Sequence, residues 1–302
     1  MKNKIRLLII IIIFIGLVIS CQALMKVADF GAQVAGAAGV IDKSTADVIS
    51  SSARTIGTAA EEITPEQEYY IGRAVAANIL NSNKIWNGNP ALTTYLNQIC
   101  MAIVINSPRP DIFNGYHVVI LDSNDINAFA TSGGHIFVTR GLINAAKSED
   151  ALAGVIAHEV AHIQLKHGIR AIRNSRITQA LIDTGTQAAG AAGMNITQLT
   201  DVFNESVGEI IQTMVNSGYS QAQEFEADKT AMSLMASAGY NPSGLIDMLN
   251  ALKSVQTSTS SGFGKTHPKP DDRISNARSA VSSYRVADTS RLRQARFAEA
   301  TR

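Results

Sequence analysis

The chain has 302 residues, 46% hydrophobic and 17% charged, with 26 basic against 25 acidic side chains. That apolar content excludes wholesale disorder, and the charge balance shows neither a basic excess for nucleic acid nor an acidic solvating tail. Two cysteines exclude a disulfide framework and any Cys-rich zinc knuckle.

Lys2, Lys4 and Arg6 precede an apolar run from Leu7 to Ile19, interrupted by Gly16. The run is shorter than the ~20 residues of a spanning helix, and it has the basic, apolar, small order of a secretory signal. It ends Val18-Ile19-Ser20-Cys21, which looks like a bacterial lipobox, with Cys21 as the lipidated first residue of the mature chain. An ordinary signal, or a short anchor helix with an incidental Cys, is the alternative. Gln22 stands where an Asp would favour inner-membrane retention, so the expected location is the periplasmic face of an outer membrane. Without residues 1–20 the chain carries 23 basic and 25 acidic residues, and Cys100 is its remaining thiol after Cys21. Cys100 reads as a small buried apolar residue.

Residues 21–62, rich in Ala, Gly, Ser and Thr, read as a tether with weak helical stretches. Thr64-Pro65-Glu66-Gln67-Glu68 opens a helix to about Leu80: a Thr cap, Pro at the first position and acids in the first turn. Asn89-Pro90 opens another to Ile105, with Leu92, Tyr95, Leu96, Ile99 and Ile103 on one side. His117–Leu121 is a short β-branched strand. Residues 127–131 and 135–139 flank Ser132-Gly133-Gly134 and read as a hairpin. Ser148 with Glu149 and Asp150 caps a strong helix to about Lys166. Further helices are expected at 170–183, 196–216, 219–237, 242–254, 271–283 and 289–300, with a flexible loop at 255–266. A catalytic domain at 63–284 and a C-terminal helical tail at 285–302 complete the expected organisation.

His158-Glu159-Val160-Ala161-His162 is H-E-x-x-H within a helical stretch. Four residues bring the two imidazoles to one face, one turn apart, which suits two ligands of one tetrahedral zinc. The small and apolar residues Ala151–Ala157 place that helix in the interior, whereas chance occurrences sit on exposed faces. Glu159 lies where it can reach a metal-bound water. A third ligand is needed. His167, five residues on and about 140° around the helix, reads as a solvated or capping residue, and His117 and His135 read as surface residues of their strands. Glu224 and Asp228, one turn apart, fit better: one can bind metal while the other orients a ligand imidazole. Glu226 points elsewhere.

These residues, with Thr64–Glu68, Asn127–Ala130, Gly133-Gly134, Val138–Leu142, His267-Pro268 and Arg273-Ile274, resemble the metallopeptidase family of HtpX, the CAAX prenyl endopeptidases and the mitochondrial Oma-type proteases. The likeness runs from about Thr64 to Ile274 and is closest to a single-domain bacterial lipoprotein branch. It implies an α+β, mainly α, zincin-like (gluzincin) domain with a small antiparallel sheet packed on the active-site helix. It implies one zinc per chain held by His158, His162 and Glu224, with Glu159 as catalytic base and Asp228 supporting a ligand His. Strand 135–139 (His135, Ile136, Phe137) would be the sheet edge that pairs with an extended substrate, with Asn127 and Ala128 beside it. Gln221 departs from the family's usual Arg, so a positive charge beside the acidic cluster is expected to be missing. His267 is a possible fourth ligand or gate; the alternative is a surface turn. Tyr219 and His267 are the candidates for an oxyanion donor.

The function expected on this basis is zinc-dependent cleavage of unfolded or misassembled proteins in the bacterial cell envelope, the enzyme being held to the membrane through Cys21. The alternative is an envelope chaperone or assembly factor with gated proteolysis. A peptidoglycan hydrolase lacks its carboxylate pair and sugar-stacking aromatics here, Trp86 being the single tryptophan.

Overall fold

In a computed structural model, residues 21–39, parts of 42–54, 63–171, 218–255, 267, 270–286 and 288–302 are described. The leader 1–20, the helices expected within 172–216 and the loop 256–266 lie outside them. No helix among the described residues is long and apolar enough to cross a membrane.

The described residues fall into two compact units, divided at Ile63/Thr64. In the first, the segment read as a tether with weak helical stretches contains a 17-residue helix, α1 (Cys21–Ala37). Asp29 on α1 accepts hydrogen bonds from Arg54 Nε at 2.9 Å and Gln33 Nε2 at 2.7 Å, and from Ser50. These bonds, that of Arg54 foremost, hold its carboxyl down to about 2.

The second unit holds all the chemistry-bearing residues. α2 (Pro65–Ser82) begins in a reciprocal cap: Thr64 Oγ1 accepts from the Gln67 amide at 3.2 Å, and Gln67 Oε1 accepts from the Thr64 amide at 2.9 Å. α3 (Pro90–Ile105) is capped by Asn89 and buries the predicted stripe of Leu92, Tyr95, Leu96, Ile99 and Ile103.

Three strands follow: β1 (His117–Leu121), β2 (Ala128–Ala130) and β3 (His135–Thr139). β2 and β3 form the expected antiparallel hairpin. The sheet as a whole is mixed, because its order is β1-β3-β2 and β1 pairs parallel to β3. Successive strands alternate in direction, so seating the third between the first two forces the first and third parallel. Gly134 permits this arrangement. Its φ is +89°, and a Cβ there would come within 2.2 Å of the Gly115 carbonyl oxygen, just ahead of β1. β3 is therefore central, and the expectation that it forms a sheet edge is wrong: β1 and β2 occupy both its sides. The outer side of β1 is itself engaged, since Trp86 donates to Ile120 and Asp122 to Lys84, each at 2.8 Å. β2 is left as the edge strand.

α4 (Arg140–Ala145) leads to α5 (Glu149–Gln164), capped by Ser148 and buried along nearly its whole length. α6 (Gln221–Ser237), α7 (Ser243–Val255), α3 and β2 pack around α5. The α5–α7 approach is close: a Cβ on Gly154 would lie 2.8 Å from the Leu245 Cα, and one on Gly244 would lie 2.3 Å from the Asp150 carbonyl oxygen. α8 (Pro270–Val281) packs on α6 and α7, and α9 (Ser290–Ala300) on α5 and α3.

Candidate metal centre

α5 carries His158, Glu159 and His162, all buried, in a helix whose other residues are Ala, Val, Ile and Leu over most of its core-facing length. α6 begins at a Ser220–Gln223 capping box, which places Glu224 in its first turn and Asp228 one turn later; both are buried. His267, between α7 and α8, is buried too.

These elements bring one ligating atom from each of His158, His162, Glu224 and His267 within 4.8 Å of one another. The Nε2 atoms of His158 and His162 are 3.0 Å apart, and each is 3.5 Å from a Glu224 oxygen. His267 Nδ1 is 2.9 Å from both Glu224 oxygens. His267 is thus no surface turn.

The Nδ1 atoms of His158 and His162 are also engaged. His158 Nδ1 is 3.0 Å from Asp228 Oδ1. Asp228 in turn is gripped by Arg273 from α8, through Nε at 2.8 Å and Nη2 at 2.6 Å, while Arg273 Nη1 lies 3.2 Å from Glu224. Arg273 is fully buried. It corrects the expectation that the acidic cluster lacks a positive charge: Gln221 is exposed and bonds Asp272 at 3.1 Å, and the cation comes from α8 instead.

His167 overturns another expectation. Extrapolating the helical screw turns it away from His162, but α5 stops at Gln164. Leu165 caps it and Lys166 takes a left-handed φ of +55°. The chain reverses, and His167 returns as a fully buried side chain whose Nδ1 is 2.8 Å from His162 Nδ1. Glu226 is exposed as expected, but its Oε2 lies 3.3 Å from His167 Nε2.

His117, His135 and Asn127 are not among the four converging donors. His135 bonds Thr131 at 3.1 Å and stacks on Tyr69, and His117 bonds the Asn114 carbonyl at 2.7 Å. Asn127 caps its own turn, accepting from the Ala128 amide at 2.9 Å. Tyr219 stacks on His162 with centroids 4.3 Å apart.

The electrostatics suit a cation. Burial and Arg273 push His158 down, but the Asp228 and Glu224 carboxylates outweigh them and raise it to about 9. Burial opposes ionisation of Asp228, yet Arg273 prevails and holds it at about 2. Burial is the largest cause depressing both His162 and His267, which favours their neutral, ligating forms. Burial raises Glu159 to about 7, and its Oε1 has no hydrogen-bond partner among the described residues. Three imidazoles and a carboxylate converging in a buried pocket are the donor types of zinc. The unmatched Glu159 oxygen beside them is what a carboxylate awaiting a water would show.

Comparison with known proteins points to metalloproteases. The beta-barrel assembly-enhancing protease of Escherichia coli is 26% identical over 222 residues, covering 72% of this chain and 45% of that protein. The metalloprotease LoiP of the same organism is 28% identical over 161 residues, 53% of this chain and 61% of LoiP. The mitochondrial metalloendopeptidase OMA1 of Schizosaccharomyces pombe is 29% identical over 184 residues, 60% of this chain and 51% of that one. The chain spans about half the length of the curated relatives it matches. Residues 90–281, well over half of the chain, match the profile of peptidase family M48, whose members are zinc metallopeptidases, and the chain belongs to that family.

Proposed function

We propose that this chain is a zinc-dependent endopeptidase of the bacterial cell envelope, acting on unfolded or misassembled polypeptides. The observation that carries the reading is the convergence of His158, His162, Glu224 and His267 beside the unmatched Glu159. His158 Nε2, His162 Nε2 and Glu224 would hold the metal, and His267 would be a fourth donor at rest. Zinc held there supplies Lewis acidity at the scissile carbonyl and a more acidic water. Glu159 Oε1 takes the proton of the attacking water and delivers it to the leaving amine. Burial raises the pKa of Glu159, which favours its holding that proton between the two transfers. Tyr219 keeps its proton, because burial raises its pKa, and is available as a hydrogen-bond donor.

The substrate would pair with β2, the edge strand among the described residues, and not with β3. Residues 127 and 131 bond back to β3, so the alternation of an antiparallel ladder turns the backbone groups of Ala128 and Ala130 outwards, the Ala128 amide donating to Asn127 Oδ1. Such pairing requires an extended chain, which favours unfolded substrates. The beta-barrel assembly in the relatives' names, and the lipobox-like Cys21, support the envelope as the setting and a lipid anchor as the means of attachment.

The second reading, a chaperone with gated proteolysis, is favoured by one observation: His267 already sits against Glu224. The Glu159→Gln variant separates the two. The protease reading expects casein cleavage to fall by at least about 100-fold with zinc content unchanged. If that variant corrects envelope defects as well as the wild type does, the chaperone reading replaces it.

A further inference from the structure

The two H-E-x-x-H imidazoles are each held from behind, but by different devices. His158 Nδ1 faces Asp228, whose carboxylate is locked by Arg273 inside the protein. Among the described residues His162 Nδ1 faces the Nδ1 of His167 at 2.8 Å and not a carboxylate. Two ring nitrogens at that distance need one proton between them. If His162 offers Nε2 to a metal, its proton is on Nδ1 and is donated to His167 Nδ1. His167 must then carry its own proton on Nε2, and the Glu226 carboxylate oxygen 3.3 Å from that atom can accept it. Arg170 Nη1, 3.5 Å from the same oxygen, fixes the outer end. The direction of each bond follows from the one before, and the series runs from the buried pocket to a half-exposed carboxylate.

We propose that His167, backed by Glu226, is a positioning residue that sets the tautomer and orientation of His162 and so raises the affinity of the site for zinc. The inference rests on the metal-site reading above and deepens it. It acts through His162 alone, since His167 is not among the four converging donors. Partners of this kind are worth roughly 10- to 100-fold in metal affinity.

The test is zinc affinity of the purified full chain, measured by competition with a chromophoric chelator, with urea midpoints of the metal-free proteins alongside. His167→Phe keeps a buried ring without an acceptor; His167→Asn gives up the ring but places an acceptor oxygen where Nδ1 was. The proposal expects the Phe variant to bind zinc about 10- to 100-fold more weakly and the Asn variant to recover most of that loss. A residue that merely fills space predicts the reverse order, and that result would overturn the proposal, as would a Phe variant binding within twofold of the wild type. Should the Phe variant not fold, Glu226→Ala decides, because its side chain is half-exposed and its loss leaves the interior intact. The proposal expects that variant to bind zinc more weakly, and unchanged affinity overturns it. A wild type that binds no zinc sinks the metal-site reading itself, a different result from tight wild-type binding that ignores residues 167 and 226.

Discussion

His267 lies 2.9 Å from both oxygens of Glu224, and burial depresses its pKa, so the ring is kept in its neutral, ligating form. Three other donors would remain to hold a metal without it, the number a catalytic zinc takes from the protein. Removing it should therefore open a position without emptying the site: His267→Ala is expected to raise basal casein cleavage severalfold while zinc stays near one per chain. Lower activity with zinc retained would instead assign His267 to the transition state, and unchanged activity would exclude both roles. At this scale the sequence is legible wherever one regular element supplies the spacing. His158 and His162, or Glu224 and Asp228, share a face because each pair lies on one helix. His167 was misread because the helical screw was carried past the helix's end, and a left-handed Lys166 is not written in its side chain. Arg273 was visible as part of the family resemblance, but its role was not, since its partner Asp228 lies 45 residues away on another helix.

At the scale of elements, the caps were readable. Thr64, Asn89 and Ser148 each accept a hydrogen bond from an amide of the first turn, and their helices start where their sequences indicate; Ser220 caps α6 in the same way, one residue inside the helix expected from 219. The strands were readable as strands, but not their order, because pairing β1 with β3 depends on a non-local approach of Gly115 and Gly134 that no local pattern announces. The α5–α7 contact has the same non-local character and a measurable consequence. Gly154 sits one turn before His158, and a Cβ added there meets backbone atoms of Leu245, which cannot rotate away. Gly154→Ala should thus be destabilising in spite of alanine's better helix propensity, by about 1–3 kcal/mol for an overpacked contact. Urea unfolding of the metal-free chain measures it. A variant more stable than the wild type, as propensity alone predicts, would show that the two helices separate freely.

For the molecule as a whole, the sequence is least informative about what its last residues do. Ser-Arg-Leu-Arg-Gln-Ala-Arg at 290–296 looks like a solvated helix, and a domain ending at 284 with a tail beyond it is the natural reading. In the structure α9 closes over the first turn of α5. Arg293 is buried; it bonds Asp150 at 2.9 Å and the Gly239 carbonyl at 3.1 Å, tying the start of α5 to the turn between α6 and α7. Arg296 pairs with Glu149, a buried carboxylate that also accepts from the Tyr95 hydroxyl at 2.9 Å. Deleting 285–302 leaves Glu149 buried with only that hydroxyl, and Asp150 with the Asn241 amide. Breaking a buried pair by removing one partner costs about 3–5 kcal/mol, although the Arg296 pair, half-open to solvent, contributes less. The truncated chain should therefore lose on the order of 3 kcal/mol in urea. The damage falls at the first turn of α5, more than two turns from His158, so at low denaturant the truncated chain should still bind zinc. Arg293→Leu alone should reproduce most of the loss, because Arg293 is the buried partner. If the truncation leaves the urea midpoint unchanged, α9 is an appended helix after all, and the start of α5 is held by its Ser148 cap and the α7 contact alone.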